Sequence, residues 1–479
     1  MKISIKSKDI IWSYLGSIFQ YCTSLLILPM ILGELTKSEL GIWYSFASVS
    51  TLATYLDFGF STTMVRNITY AWSGAKKIRA EGFDDEAVND EVDLAFIKKV
   101  LFACRIVCLA IALAALVILF FGGSAYIRYI SRDVDNTRSI MIAWFIYMTG
   151  VFFNIYYNYC GHTLRGIGKI SSYQKIVVFS RIAQIVVSFV GIRLGFGLIG
   201  LSAAYLIAGF LIRFSSKIFI DRAIDAEAKR QNFNFESRDT FGKRLSEVWD
   251  IFKTVWHNAK KSGIVSLCSY GINQSLTLIC AAYLGVEETA GYGLCHQIIT
   301  AIMSVAGIMF AAHQPKMINC LVLKENDRYR RTFSMCMVVF GIISIGGILC
   351  FAALSKPLLA LIGSKTEIPL GMFLFMGLYM FLEHNHGEYT ANFTMRNSIE
   401  YLPSYIVSSV LIVALSWMMA VLGANIYILM TVHFAVQICF NNWYWPYKAM
   451  KMMKTNIKCT VVEGSSELKS LVFKMIRKK

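Results

Sequence analysis

The stretch DRAIDAEAKRQNFNFESRDTFGKRLSEVW, Asp221 to Trp249, is the longest polar segment of the chain and divides it in two. On either side the sequence carries apolar blocks long enough for a helix to cross a bilayer, which takes about 20 residues. Six of the twelve blocks precede the polar segment and six follow it, near 10–32, 41–65, 96–121, 139–161, 172–194, 196–219, 257–284, 291–314, 333–354, 370–392, 401–422 and 425–447. The pattern predicts an all-α, polytopic membrane protein with twelve transmembrane helices in two six-helix lobes.

Charge is distributed in bands that alternate with these blocks. The chain has 479 residues and a formal net charge of +17, and only 16% of it is charged, against roughly 25% in soluble domains. Most of its 47 Lys and Arg residues fall within 1–9, 66–99, 161–175, 213–261, 313–332, 393–400 and 448–479. This alternation follows the positive-inside rule and places both termini in the cytoplasm. The excess charge therefore indicates contact with anionic membrane lipids rather than binding of nucleic acid.

The polar stretch and the blocks around it set the expected domain limits. We expect an N-terminal six-helix lobe over 1–220, a cytoplasmic linker over 221–256, a C-terminal six-helix lobe over 257–447 and a cytoplasmic basic tail over 448–479. The end of that tail, ELKSLVFKMIRKK, places apolar residues at helical spacing among lysines. This pattern is typical of an amphipathic helix at a membrane surface, and a disordered tail is the alternative.

A short repeat relates the two halves. LILPMILGELTKSELGIW, Leu26 to Trp43, and LICAAYLGVEETAGYGL, Leu278 to Leu294, share one order of features: an apolar helix end, Leu-Gly, an acidic turn and a Gly-aromatic helix start. Because each half has six spans, the two copies would have the same orientation and be related by an axis along the membrane normal.

Ionisable residues inside the predicted spans are costly and usually face an interior cavity. At 1.5 Å per residue, Asp57 and Arg105 lie about 13 Å from the cytoplasmic ends of their helices, and Arg181 lies about 9 Å in. Three helices would thus bring one carboxylate and two guanidinium groups to one inner layer. One interpretation is that Asp57 is a structural counter-ion that locks the half together. The other is a cavity with surplus positive charge, where the planar guanidinium groups bind phosphate.

The fourth span adds polar residues near the same layer. Asn154 and Asn158 lie on roughly the same side of that helix, and Arg165 and His162 follow at its cytoplasmic end. We count Asn154, Asn158 and Arg165 among the candidate substrate-binding residues of the cavity.

The polar residues of interest in the second half cluster in spans eight and ten: His296, Gln297, Glu383, His384, His386 and Glu388. We assign the first two to substrate binding. In the helix around FLEHNHGEYT, His384 would face Glu388 and Glu383 would face His386. A carboxylate–imidazole pair could exchange protons near neutral pH and couple transport to an ion. The alternative is a hydrogen-bonded contact between helices.

Two segments of the first half resemble a known family. YLDFGFSTTMVRN, Tyr55 to Asn67, resembles the Asp/Gly-rich end of the second helix of polysaccharide transporters. YYNYCGHTLRGIGK, Tyr156 to Lys169, resembles their fourth-helix region with its L-R-G-x-G-K turn. The chain is similar, over about 25–220, to the repeat-unit flippases for O-antigen and capsule (Wzx-type) of the multidrug/oligosaccharidyl-lipid/polysaccharide (MOP) exporter superfamily.

That resemblance implies a fold and a substrate. It implies two six-helix lobes around a V-shaped cavity, a MATE-like architecture. The substrate would be an undecaprenyl-pyrophosphate-linked oligosaccharide, flipped from the cytoplasmic to the outer leaflet of the bacterial inner membrane by alternating access. Arg66 and Arg165 are the cavity residues carried over from the matching motifs. The resemblance also suggests a polymerase and other polysaccharide-assembly proteins as partners.

Other functions are less well supported by the sequence. A multidrug exporter of the same superfamily would need acidic pockets for cationic drugs, whereas the first half has an excess of arginine. A membrane-embedded sugar-transferring enzyme would need a sizeable outer loop, and the outer loops are short. Lipid II flippases usually have fourteen spans rather than twelve. The sequence shows neither a nucleotide-binding loop nor a metal-ligand motif, so we expect no enzyme activity, no cofactor and no metal.

Overall fold

The structure is a computed structural model, which describes residues 7–56, 60, 64–65, 68–69, 72, 92, 94–232, 263–322, 324–362, 368–396 and 398–476. In these residues the regular structure is helical, which confirms the all-α prediction. The helices are α1 (Ser7–Glu34), α2 (Lys37–Tyr55), α3 (Leu94–Ile118), α4 (Ser124–Ile130), α5 (Thr137–Tyr156), α6 (Asn158–Gly166), α7 (Ile170–Arg193), α8 (Gly197–Arg230), α9 (Gly263–Tyr283), α10 (Val286–Val322), α11 (Asn326–Ile362), α12 (Leu370–Met395), α13 (Leu402–Val421), α14 (Ile426–Cys439), α15 (Asn441–Met452) and α16 (Ile457–Ile476).

Eight helical segments of the described chain are long and apolar enough to cross a membrane. They are Phe96–Ile130, Thr137–Gly166, Ile170–Arg193, Gly197–Arg230, Gly263–Tyr283, Val286–Gln314, Asn326–Leu358 and Leu402–Val421. The remaining predicted spans coincide wholly or in part with α1, α2, α12 and α14, which are helical. The structure is therefore that of a polytopic helical membrane protein.

The chain divides into two compact units. The first comprises residues 1–34 and 45–270, and the second comprises 35–44 and 271–479. Helix α8 continues to Arg230, so its last residues run into the predicted linker. The limits predicted for the two six-helix lobes, 1–220 and 257–447, stay a prediction.

In the first unit, α7 packs between α1 and α8, and α5 lies against α8 and α3. Helices α7 and α8 approach most closely where Gly191 faces Gly200, because a Cβ on Gly191 would lie only 2.8 Å from the Cα of Gly200. Small residues that let two backbones meet are typical of helix packing in membranes. A buried cluster that includes Val100, Leu164 and Ile176 joins α3, α6 and α7.

We expect Gly191→Leu to destabilise the first unit by about 1–3 kcal/mol, because the new side chain would push α7 and α8 apart. The measurement is the thermal unfolding midpoint of the purified protein in detergent. Gly387→Leu is the matched control, because a Cβ at Gly387 meets no atom within 4 Å. An equal midpoint for both variants would contradict the close crossing.

In the second unit, α11 packs against both α10 and α16, and α12 packs against α15. Phe333 of α11 contacts the rings of Phe310 and Tyr389, with centroids 5.7 and 5.4 Å away.

The start of α2 also belongs to the second unit, and a capping box marks the beginning of this helix. There the N–H of Thr36 donates to Glu39 Oε2 at 2.9 Å, and the N–H of Glu39 donates to Thr36 Oγ1 at 3.2 Å.

The C-terminal segment is helical rather than disordered. Helix α16 lies along α11, where Gly464 is close to the backbone of Ser334. Arg330 Nε of α11 donates to Glu463 Oε2 of α16 at 3.0 Å. The predicted helix at the end of the tail is thus part of a longer helix that is attached to the second unit.

Helices α10 and α11 are unusually long, with 37 residues each. At 1.5 Å per residue such a helix is about 55 Å long, whereas a bilayer with its headgroups is about 40–45 Å thick. A tilt of about 20° shortens the projection only slightly. Both helices therefore extend beyond the bilayer.

Candidate functional site

A polar cavity of about 220 Å³ lies inside the first unit. Helices α1, α2, α3, α5, α6, α7 and α8 contribute to it through Gln20, Thr54, Cys108, Ile111, Val151, Asn154, Ile155, Tyr157, Asn158, Gly161, Tyr173, Arg181, Tyr205, Gly209 and Ile212. Three of the candidate residues predicted from sequence, Arg181, Asn154 and Asn158, line this one cavity. Arg181 is the only charged residue among the described residues that line it, and none of them is acidic.

Arg181 is positioned by its own helix. Its Nη1 donates to Gln184 Oε1 at 2.7 Å, one turn further along α7. Its Nε is buried and has no hydrogen-bond partner among the described residues. A buried charged donor without a partner costs more than the about 1–3 kcal/mol of a neutral one. The cavity therefore presents a donor suited to an anionic oxygen.

Asn154 faces the same cavity from α5. Its Nδ2 donates to the carbonyl oxygen of Gly150 at 2.9 Å. A Cβ on Gly209 of α8 would lie 2.9–3.1 Å from the Asn154 amide, so the glycine leaves room for this side chain. Tyr205 of α8 stacks on Tyr147 of α5, with centroids 4.8 Å apart, and forms the wall beside it.

The break between α5 and α6 brings two further arginines together. Tyr156 and Tyr157 stand at this break with ring centroids 4.8 Å apart. Arg105 Nε of α3 donates to Tyr156 Oη at 2.8 Å. Arg213 of α8 donates to Tyr157 Oη, and its guanidinium carbon lies 4.1 Å from the centre of that ring. Arg105 is thus outside the described lining of the cavity, whereas Tyr157 belongs to it.

Arg213 was missed by the sequence analysis because it falls in a band assigned to the cytoplasmic side. The signal that could have found it is its position on α8, because Arg213 lies two full turns before the long polar segment that begins at Asp221. Its partner Tyr157 could not be inferred from hydropathy.

Arg165 is exposed at the end of α6. Its Nε donates to the carbonyl oxygen of Gly161 at 3.3 Å, and its Nη2 lies 3.4 Å from His162 Nδ1. The guanidinium carbon lies 5.3 Å from the centre of the Tyr173 ring. Since Gly161 and Tyr173 line the cavity, Arg165 is at its border. Asp57 and Arg66 lie outside the described residues, so their predicted roles stay predictions.

The second unit contains a buried carboxylate–imidazole pair that links two helices. His433 Nε2 of α14 is 2.9 Å from Glu383 Oε2 of α12, and the two side chains are 4% and 11% exposed. The Tyr379 ring lies beside His433, with centroids 4.8 Å apart. His433 Nδ1 is buried without a partner in the described residues.

A second contact between helices lies one turn along α12. His386 Nδ1 is 2.8 Å from Asn442 Oδ1 of α15, and its Nε2 is 3.0 Å from Tyr405 Oη of α13. The neighbouring Asn441 Nδ2 donates to Gln437 Oε1 and to Ser408 Oγ, both at 2.8 Å. Together with the Glu383–His433 pair, these polar side chains join α12, α13, α14 and α15, and we call them the polar column.

For Glu383 and His386 the structure shows the alternative named above, hydrogen-bonded contacts between helices. His384 does not pair with Glu388, because His384 Nδ1 is bonded to the carbonyl oxygen of Met380 at 2.9 Å. Glu388 faces α10 instead, where its Oε1 would lie 3.3 Å from a Cβ on Gly307. Glu383 and His386 likewise take partners on other helices. For Glu383 and His386, partners across a helix interface replace the i,i+3 neighbour.

His296 and Gln297 belong to the second unit and are half-buried on α10. His296 lies near enough to Glu383, His384 and His433 for electrostatic interaction. It therefore adjoins the Glu383–His433 pair. From the sequence, both residues were expected in a substrate cavity.

Several solved structures are similar to the chain. A multidrug resistance MATE family transporter of the MOP superfamily, in an inward-facing conformation, is 13% identical over 91% of this chain and 95% of its own, with a TM-score of 0.60. The MATE multidrug transporter DinF-BH is 13% identical over 96% of this chain and 98% of its own, with a TM-score of 0.59. The lipid II flippase MurJ, in an inward closed conformation, is 12% identical over 97% and 93%, with a TM-score of 0.58.

The chain has the MATE-like fold. No protein-family model matches it, and no curated protein sequence matches it. At 12–13% identity, the similarity is one of fold. It extends over more than nine tenths of each chain. The MATE-like, polytopic fold class predicted from sequence is thereby confirmed.

Proposed function

We propose that the protein is a transporter that flips undecaprenyl-pyrophosphate-linked oligosaccharide repeat units across the bacterial inner membrane for O-antigen or capsule synthesis. The observation that carries the proposal is the Arg181 cavity, which offers an unpaired guanidinium donor and amides but no described carboxylate. Guanidinium groups make paired, charge-assisted hydrogen bonds to phosphate oxygens. Amides and tyrosines around Arg181 supply the hydrogen-bonding groups that sugars need.

The same cavity argues against export of cationic drugs. A cation entering it would meet Arg181 at close range in a medium of low dielectric constant, where like charges repel strongly. The described lining contains no acidic side chain to offset this repulsion. A multidrug exporter is therefore the second candidate function, supported by the fold of the MATE neighbours alone. We propose no enzyme activity.

The energy for flipping would come from ion or potential gradients. With both termini in the cytoplasm, as the charge bands predict, a negative head group moves outward from an interior that is electrically negative. Each charge then gains about 2.3 kcal/mol per 100 mV. The candidate groups for ion coupling are Glu383 with its partner His433, together with His384, His386 and Glu388. The potential alone can drive outward movement of an anion.

The direct test uses the purified protein in liposomes that carry a labelled lipid-linked oligosaccharide in the leaflet opposite to an added glycosidase. We expect the protein to expose the sugar to the enzyme, and we expect an inside-negative potential to accelerate exposure. Empty liposomes and liposomes with heat-inactivated protein are the controls. Efflux of a cationic dye without movement of the lipid-linked sugar would favour the drug exporter instead.

A further inference from the structure

A second cavity, of about 530 Å³, opens in the second unit between α11, α12 and α16. We call it the apolar groove. Its volume lies within the about 300–1,000 Å³ typical of ligand sites. Helix α11 forms its floor from Met337 to Gly346, and Phe381 of α12 and Val461 of α16 form its walls. It does not involve the arginine cavity of the first unit.

The dimensions of the groove match one leaflet. Met337 and Gly346 are nine residues apart, which is about 13 Å along the helix, and the hydrocarbon of one leaflet is about half of 30 Å. Gly341 and Gly346 keep the floor open, because a Cβ at either position meets no atom within 4 Å. The apolar wall residues Ile457 and Val461 remain 69% and 51% exposed. The protein itself therefore leaves this apolar channel unfilled.

The rim of the groove next to the start of α16 is basic. Lys454 and Lys458 are exposed beside Ile457. Two cations are thus available at this end of the groove, in a segment that the charge bands assign to the cytoplasmic side.

We propose that the apolar groove binds one phospholipid with an anionic headgroup from the cytoplasmic leaflet. An acyl chain lies over Gly341 and Gly346, and the phosphate lies at Lys454 and Lys458. Basic residues near this leaflet attract anionic lipid. This site is separate from the proposed transport function and does not depend on it.

The carrier lipid of the proposed substrate is a poorer occupant. Its undecaprenyl chain is far longer than a groove that spans about 13 Å. The ion pair between Arg330 and Glu463 holds α16 against α11, which favours a resident ligand over one that must enter and leave in each cycle. The length of the groove and the attachment of α16 to α11 together favour a phospholipid.

The test measures bound lipid on the full-length protein, purified in mild detergent, by native mass spectrometry after incubation with phosphatidylglycerol or phosphatidylethanolamine. We expect the wild-type protein to retain one phosphatidylglycerol. Gly341→Leu and Gly346→Leu should each lower its apparent affinity by about tenfold or more, or about 1.4 kcal/mol. Gly387→Leu, which places the same side chain in open space outside the groove, should leave retention unchanged.

The charge requirement is tested separately. Lys454→Ala combined with Lys458→Ala should remove the preference for phosphatidylglycerol over phosphatidylethanolamine, whereas Lys469→Ala, an exposed lysine further along α16, should preserve it. Unaltered retention in both glycine variants, each shown to be folded by its thermal midpoint, would overturn the proposal. Displacement of the phospholipid by an equimolar amount of undecaprenyl phosphate would overturn it as well. Because the readout is bound lipid, it is independent of whether the protein flips oligosaccharides.

Discussion

Arg181→Ala is expected to reduce flipping of the pyrophosphate-linked substrate by about a hundredfold or more, with little change in protein level. Removing one partner of a buried, hydrogen-bonded charge contact costs about 2–5 kcal/mol, and about 1.4 kcal/mol corresponds to a factor of ten. Arg181→Lys should retain part of the activity, because it keeps the charge and loses the two-pronged donor. The measurements are surface polysaccharide in cells and exposure of labelled lipid-linked sugar in liposomes.

Arg132→Ala is the matched control for this experiment. Arg132 is exposed, and its contacts are with local neighbours, Asp133 at 3.1 Å and the Tyr129 ring at 4.9 Å, so its loss should leave both readouts unchanged. The double variant Arg105→Ala, Arg181→Ala extends the test to the tyrosine pair at the break in the fourth span. Normal polysaccharide from cells that carry this folded double variant would falsify the assignment of the substrate cavity. Loss of polysaccharide together with loss of protein would instead make Arg181 structural.

His433→Leu is expected to destabilise the second unit by about 3–5 kcal/mol, because it leaves the Glu383 carboxylate buried without its partner. The double variant Glu383→Met, His433→Leu should recover most of this loss, since replacing a whole buried pair with apolar residues is often nearly neutral. Thermal unfolding of the four proteins of this cycle gives the coupling free energy directly. Additive losses would show that the two side chains do not interact.

Transport assays on the same variants distinguish a purely structural Glu383–His433 pair from one that couples transport to protons. If Glu383 and His433 only join α12 to α14, the stable double variant transports normally and keeps its response to a proton gradient. If the pair carries protons, the double variant is folded but no longer responds to the gradient. Glu383→Gln serves as the control, because an amide can still bond to the imidazole without taking up a proton.

Much of this fold could be predicted from hydropathy, because a bilayer requires long apolar segments with all backbone groups bonded internally. Depth arithmetic placed Arg181 in an inner layer, and Asn154 and Asn158 were assigned to the same cavity from their positions on the fourth span. The structure puts these three residues around one cavity. The membrane spans and the depth of a residue within a span both depend on position along the chain, which can be counted in the sequence.

The side-chain partners could not be predicted, because they depend on how each helix is rotated about its axis. A span that is apolar on all sides does not reveal that rotation. Glu383 bonds to His433, 50 residues away, rather than to His386 one turn along. Arg105 bonds to Tyr156, and Arg213 bonds to Tyr157 at the break between α5 and α6. Partners across an interface are chosen by side-chain packing, so spacing within one helix could not identify them.

The length of α10 and α11 has a practical consequence for imaging this small membrane protein. Such helices extend past the headgroups as continuous helix, and α16 braces α11 near its basic start through the Arg330–Glu463 contact. A folded marker domain could be fused to such a projecting helix through an uninterrupted helical connection. Such a marker would move with the second unit and report its orientation in electron micrographs, where a detergent-embedded bundle alone offers few features for alignment.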